Sequence, residues 1–349
     1  MTTRRNRRSF LARAAQLAAV SALPMPALAA TGKTHRILMI TFRGETDVEK
    51  GFRDHLAASG VKADLVMRDV NRDVKNVPAI LEEAAKNKPD LVYTWGTPVT
   101  LAGVGTHSEP KSHPALEGVP LVFALVAAPV QAKIVPALAG HGRNLTGAVH
   151  VVPTDVQLRA MNSYRAFKKV GVLYTEAEQN SRAIVTQAQE YCRASGATLI
   201  ERTFKVDPSG KPTADGIEEK IAEIRKEGAE WLYLLPDTFL GSQYGRVSPA
   251  ALAQKLPTFG AAELAVRSGG ALVGLVSRYR SVGQLAASRA IDILEARKPA
   301  GSLPIETLKR FSLIVNLRIA KALGGVYPPI DMLNYAEIIE DAQAVARPA

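Results

Sequence analysis

The residues best arranged for chemistry lie in "LVYTWGTPVTLAG", Leu91 to Gly103. An apolar run ends in Trp95-Gly96-Thr97-Pro98, and this order predicts a helix with Thr97 as N-cap and Pro98 at its first position. A helix start just beyond a buried strand presents unpaired backbone N–H groups and the positive end of the helix dipole. Such a place suits an anion.

The other reactive residue types are not spaced for catalysis. The chain has neither a G-x-S-x-G elbow nor a Walker loop, and "GVGTHS" at 103–108 lacks the third glycine of a dinucleotide fingerprint. The six histidines, at 35, 55, 107, 113, 141 and 150, find no second histidine or acid at zinc-type helical spacing. The expectation is therefore binding rather than enzymatic turnover, with no metal and no cofactor.

Around the anion motif, short apolar runs alternate with helical patterns, the mark of a parallel α/β architecture. The order repeats. "RILMITF", a loop and the helix "VEKGFRDHLAASG" are matched by "KVGVLYT", "EAEQNS" and "RAIVTQAQEYCRASG". "PDLVYTWG" pairs with "AEWLYLLPD", and "GVPLVFALV" with "KLPTFGAAE". This predicts two similar lobes, each a parallel sheet flanked by helices, joined near "GRNLTGAVHVVPTD". One large doubly wound sheet is the alternative. The expected boundaries are 33–148 plus about 272–300 for the first lobe and 149–271 plus about 301–349 for the second. Open α/β sheets bind ligands beyond the carboxyl ends of their strands, so two facing sheets would make a hinged cleft.

The chain opens "MTTRRNRRSFLARAAQLAAVSALPMPALAATG". Arg7-Arg8 before Ser9-Phe10-Leu11, a short apolar stretch and Ala27-Leu28-Ala29 resemble a twin-arginine export signal, read here as residues 1–29 and cleaved after export. The apolar stretch falls short of the ~20 residues that span a bilayer. The net charge of +11 loses five arginines with this segment and becomes +6. The remaining basic residues are scattered among acids, which argues against nucleic acid as a partner. The single cysteine, Cys192, sits in a helical pattern and cannot form an internal disulfide. A periplasmic protein is expected.

"TPVTLA", "VPLVFALVAAPVQAKIVPAL", "GRNLTGAV", "KKVGVLYTEAEQNS", "LYLLPDT" and "LIVNLRIAKALG" resemble, in this order, the ABC-transporter substrate-binding family that includes tryptophan- and tyrosine-binding proteins. The resemblance spans roughly Arg36 to Gly324. It implies a type I periplasmic binding fold, a small-molecule ligand, often an amino acid, and delivery to an inner-membrane permease whose ATPase is a separate chain. A monomer is expected. A periplasmic sensor feeding a membrane signalling protein is the second reading.

In this family the Thr-Pro helix start faces a ligand carboxylate, which the resemblance carries to Gly96, Thr97 and Pro98. Asn180 and Ser181 occupy the corresponding turn of the second lobe. Asp237, with Thr238 beside it, matches an acidic position that could pair with a ligand ammonium or cap a helix. Two departures stand out: Ala127-Ala128-Pro129 replaces a Thr-Asp-Pro, and Ala261-Ala262 replaces a Ser-Asp, with Glu263 just beyond. An amino-acid ligand would then rely on Asp237 or Glu263 for its ammonium. Arg278 and Arg280, after a strand near the expected hinge, suit a carboxylate and make an amine-free acid an alternative ligand. Phe42 and Tyr279 are candidates to stack on an apolar ligand body.

Overall fold

The apolar runs of the first repeat become β1 (His35–Thr41), β2 (Ala63–Asp69), β3 (Leu91–Trp95), β4 (Leu121–Val126) and β5 (Leu145–Val149) in the computed structural model, which describes residues 32–340. The export segment at 1–29 and the chain end from 341 lie outside the described residues. β3 and β4 are buried at every position, as parallel strands covered on both faces require. The second repeat gives β6 (Lys169–Tyr174), β7 (Thr198–Thr203), the β8–β9 hairpin (Lys205–Val206 and Pro212–Thr213), β10 (Trp231–Leu234), β11 (Thr258–Gly260) and β12 (Val273–Val276). β13 (Glu306–Thr307), β14 (Ser312–Asn316) and β15 (Glu337–Ile339) follow.

Two sheets result. The first has the order β13-β5-β4-β3-β1-β2 and is parallel throughout; the second has the order β15-β14-β12-β11-β10-β6-β7, parallel except where β14 runs against β12. The repeat is exact in topology: β2-β1-β3-β4-β5 has its counterpart in β7-β6-β10-β11-β12. Both copies of the Ala-Ser-Gly helix ending place the glycine at positive φ, 74° at Gly60 and 68° at Gly196, where a side chain would be strained. Residues 34–340 belong to one compact unit.

The chain passes between the sheets three times, at 150–153, 277–278 and 308–311. This corrects the expected boundaries. β12, assigned in the sequence to the first lobe, pairs with β11 and β14 in the second sheet. β13, assigned to the second, pairs with β5 in the first. Of the segment 272–300, it is the helix Tyr279–Leu294 that joins the first lobe, packing on the helix Asp47–Ala58. Glycines let these helices touch. A β-carbon on Gly51 would collide with the Arg280 carbonyl, and one on Gly283 with the Val48 carbonyl.

The Asp47–Ala58 helix also carries a buried acid. Glu49 closes a capping box on Thr46, accepting from its backbone N–H at 2.8 Å, and takes the Tyr93 hydroxyl at 2.5 Å. In the second lobe Cys192 lies buried on the helix Gln179–Ser195, and burial pushes its thiol up to about 11.

Candidate functional site

The carboxyl ends of β1, β3 and β4 face those of β6, β10 and β11 across a cleft. The space between the walls, open mouth included, is about 460 Å³. The first lobe contributes Arg43, Trp95, Gly96, Thr97, Leu125 and Ala127. Asn180, Pro236, Asp237 and Thr238 form the opposite wall, and Gly241, Tyr244, Ala262 and Leu264 also line it. His150 and Tyr279, at two of the crossings, line the hinge side.

The anion motif is in the cleft, with different local geometry from that expected. The helix starts at Gly96, not Pro98, and Thr97 is no N-cap: its Oγ1 accepts the Ala127 N–H at 3.3 Å and ties the end of β3 to that of β4. With that bond made, the Thr97 hydroxyl proton is free for a ligand. Pro98 does not line the cleft.

Arg43 is the charged group of this wall. Its guanidinium carbon lies 4.8 Å from the centre of the Trp95 ring, a cation–π arrangement, and it reaches the Tyr279 hydroxyl. Among the described residues no carboxylate pairs with it. Trp95 in turn rests on Phe42, with ring centroids 5.9 Å apart and planes 13° from parallel. Phe42 is thus a backing for Trp95 rather than a wall of the cleft. The Trp95 Nε1–H is buried without a partner.

Leu125 enters through a β-bulge. The β4–β5 register shifts between Ala124 and Val126, and Leu125 sits at φ 55°, a strained value for a branched side chain. The side chain is thereby re-aimed into the cleft. Ala127, not Ala128, lines the cavity; Ala262 lines it, while Ala261 is wholly buried behind.

The acids are engaged by the fold. Asp237 caps the short helix Thr238–Ser242 and accepts from Thr175 N at 2.6 Å, Thr175 Oγ1 at 3.0 Å, Ser181 Oγ at 2.8 Å and Leu240 N at 2.8 Å. Ser181 is fully buried in this role. Nearby Glu178 accepts the backbone N–H groups of Thr238 and Phe239 at 3.0 and 3.3 Å. Burial first, and then the Asp237 charge, raise Glu178 to about 8; burial also raises Asp237. Asn180 lines the cleft and donates to the Pro236 carbonyl at 3.0 Å.

Glu263 and Arg278 do not line the cleft. Glu263 accepts Arg267 Nε at 2.6 Å and the Tyr279 backbone N–H at 2.5 Å, and Arg278 is bound to Glu337 and to Ser312 Oγ at 2.8 Å. Arg280 points away, paired with Asp54. Burial holds His150 down at about 4, so its ring is neutral, with Nδ1 unpartnered. Tyr279 and Tyr244 stay protonated, since burial lifts the first to about 12 and the second further.

Sequence reasoning missed Arg43, Leu125, His150, Tyr244 and Leu264. Arg43 could have been found, since it follows β1 at the strand end where α/β ligands bind. No group of three or more His, Cys, Asp or Glu among the described residues is placed to hold a metal ion.

Two parallel α/β lobes with a cleft between their strand ends define the periplasmic binding architecture. The chain matches the family model described as "ABC transporter substrate binding protein" over residues 37–337 and belongs to that family. It is 26% identical over 297 residues to the tyrosine-binding protein of Clostridioides difficile (strain R20291), covering 85% of this chain and 79% of that protein. Among solved structures, a conserved domain protein from Vibrio cholerae aligns with TM-score 0.76 and 24% identity over 88% of this chain and 100% of its own. An ABC domain in complex with L-Trp from Streptococcus pneumonia aligns with TM-score 0.73 and 22% identity over the same shares.

Proposed function

We propose that this chain is the solute-binding component of an ABC importer that works in the periplasm and captures a small carboxylate-bearing molecule between its lobes. The observation that carries this reading is the Arg43 guanidinium, unpaired with any described carboxylate and facing the same cavity as the Thr97 hydroxyl. A carboxylate there would gain charge-assisted hydrogen bonds from Arg43 and a further one from Thr97. Trp95, Leu125, Leu264 and Tyr244 suit a flat apolar body. The relatives named for tyrosine and seen with L-Trp support an amino acid or a related acid. Contacts from both walls would stabilise the closed form that a permease reads. No helix among the described residues is long and apolar enough to cross a membrane, which accords with a separate permease.

The test is titration calorimetry of protein unfolded and refolded to strip any carried ligand. Small acids should bind, while their primary amides, which keep the shape and lose the charge, should bind at least about tenfold more weakly. Equal binding of acid and amide would reject the carboxylate reading.

A further inference from the structure

We infer that the cleft selects a carboxylic acid without a charged amine, so that its ligand is a small organic acid with an apolar, preferably aromatic, body rather than a free amino acid. This rests on the reading of the chain as a carboxylate binder and narrows it.

The cleft's free charge is positive, and several of its groups have a proton to donate. Arg43 brings a full positive charge, the Trp95 indole N–H is buried without a partner, and the hydroxyls of Thr97, Tyr244 and Tyr279 all carry protons. An ammonium needs the opposite: three acceptors and a negative charge that is free to meet it.

Among the described residues the one acid on the cavity wall is Asp237, and each of its oxygens already accepts two hydrogen bonds from the protein. Giving these up for a ligand would uncap the Thr238–Ser242 helix and strand the Thr175 and Leu240 N–H groups. Glu178 is committed to the start of the same helix, and Glu263 to Arg267 and Tyr279. Where a further acid could stand, Ala127 and Ala262 present methyl groups. The acceptors left over, among them His150 Nδ1, the Asn180 side-chain oxygen and the hydroxyl oxygens of the wall, are all neutral. They can hydrogen-bond an ammonium but cannot offset its charge beside Arg43, and an uncompensated buried charge is costly.

The experiment compares matched pairs by calorimetry on the stripped protein: 3-phenylpropionate with phenylalanine, indole-3-propionate with tryptophan, and 4-methylpentanoate with leucine. The amine-free member of at least one aromatic pair should bind at least about tenfold more tightly than its amino acid. If an amino acid binds as well as or better than its partner, the inference is overturned while the carboxylate reading stands. If neither member of any pair binds, both fall.

Arg43→Gln should abolish detectable binding of the acid with the thermal midpoint retained. Arg43→Lys, which keeps the charge but loses the fork, should retain weakened binding. Undiminished affinity in both variants would remove Arg43 from the site and overturn the inference.

Discussion

Lys211 Nζ stands 2.8 Å from Asp73 Oδ2, joining the β8–β9 hairpin to the loop beyond β2. β2 and β7 are the outer strands of their sheets, whereas the three crossings cluster near the opposite edges, at β5, β13, β12 and β14. The pair therefore ties the lobes together on the side away from the hinge. Lys211→Gln should weaken 3-phenylpropionate binding by about two- to fivefold in dilute salt, and the difference should vanish near 1 M salt, where exposed charges are screened. Calorimetry at the two ionic strengths checks this; a salt-independent loss would place the effect elsewhere.

Glu178 should make the second lobe less stable in alkali. Its folded pKa, about 8, lies above the ordinary 4.5, so the folded state holds the proton more tightly than the unfolded chain. The stability this contributes is complete below pH 4.5 and is lost as pH rises through about 8. Thermal midpoints between pH 5 and 9.5 should fall for the native chain and flatten in Glu178→Gln. An unchanged slope in the variant would assign the titration to another group.

Glu49 is predicted to matter for folding and not for the ligand. Glu49→Ala leaves the Tyr93 hydroxyl and the Thr46 N–H without their partner and opens a cavity, a loss of about 2–4 kcal/mol. Glu49→Gln keeps an acceptor and should cost clearly less. Urea unfolding of the two variants gives the comparison.

The contact between the Asp47–Ala58 and Tyr279–Leu294 helices should tolerate no methyl group. Gly283→Ala drives its β-carbon against the Val48 carbonyl, and Gly51→Ala against that of Arg280. Each should destabilise by about 1–3 kcal/mol, as overpacking does. Denaturant midpoints test this, and a neutral outcome would mean the helices slide apart freely.

Ala262→Asp places an acid on the cavity wall where the native chain has a methyl. If the missing ammonium partner decides selectivity, phenylalanine should gain at least about fivefold relative to 3-phenylpropionate. An unchanged ratio in calorimetry would show that this wall does not meet the amine.

The lobes were legible because buried parallel strands leave continuous apolar runs. "RILMITF" and "KVGVLYT" occupy equivalent places in the two sheets, as do "LVYTW" and "WLYL". The lobe boundaries were less legible, because β12 and the Tyr279–Leu294 helix are two residues apart in sequence and belong to different lobes. Within the site, Gly96, Thr97, Asn180, Asp237 and Thr238 line the cleft as strand-end residues should. Phe42, Pro98, Ala128, Ser181, Glu263 and Arg278 do not, since one residue's displacement or a tertiary ion pair redirects a side chain without changing the local pattern. Leu125 reaches the cleft through a bulge, for which an unbroken run of apolar residues gives no signal.

Cys192, 2% exposed on the inner face of its helix, gives the second lobe a built-in clock. A thiol reagent can reach this sulfur only when the Gln179–Ser195 helix lifts from the sheet beneath it, and with the thiol raised to about 11 very little thiolate is present at neutral pH. The rate of labelling therefore reports the opening of one lobe alone. A cysteine introduced at the cleft rim could carry a fluorophore with the native thiol left in place, so that ligand capture and lobe unfolding could be followed separately in one molecule.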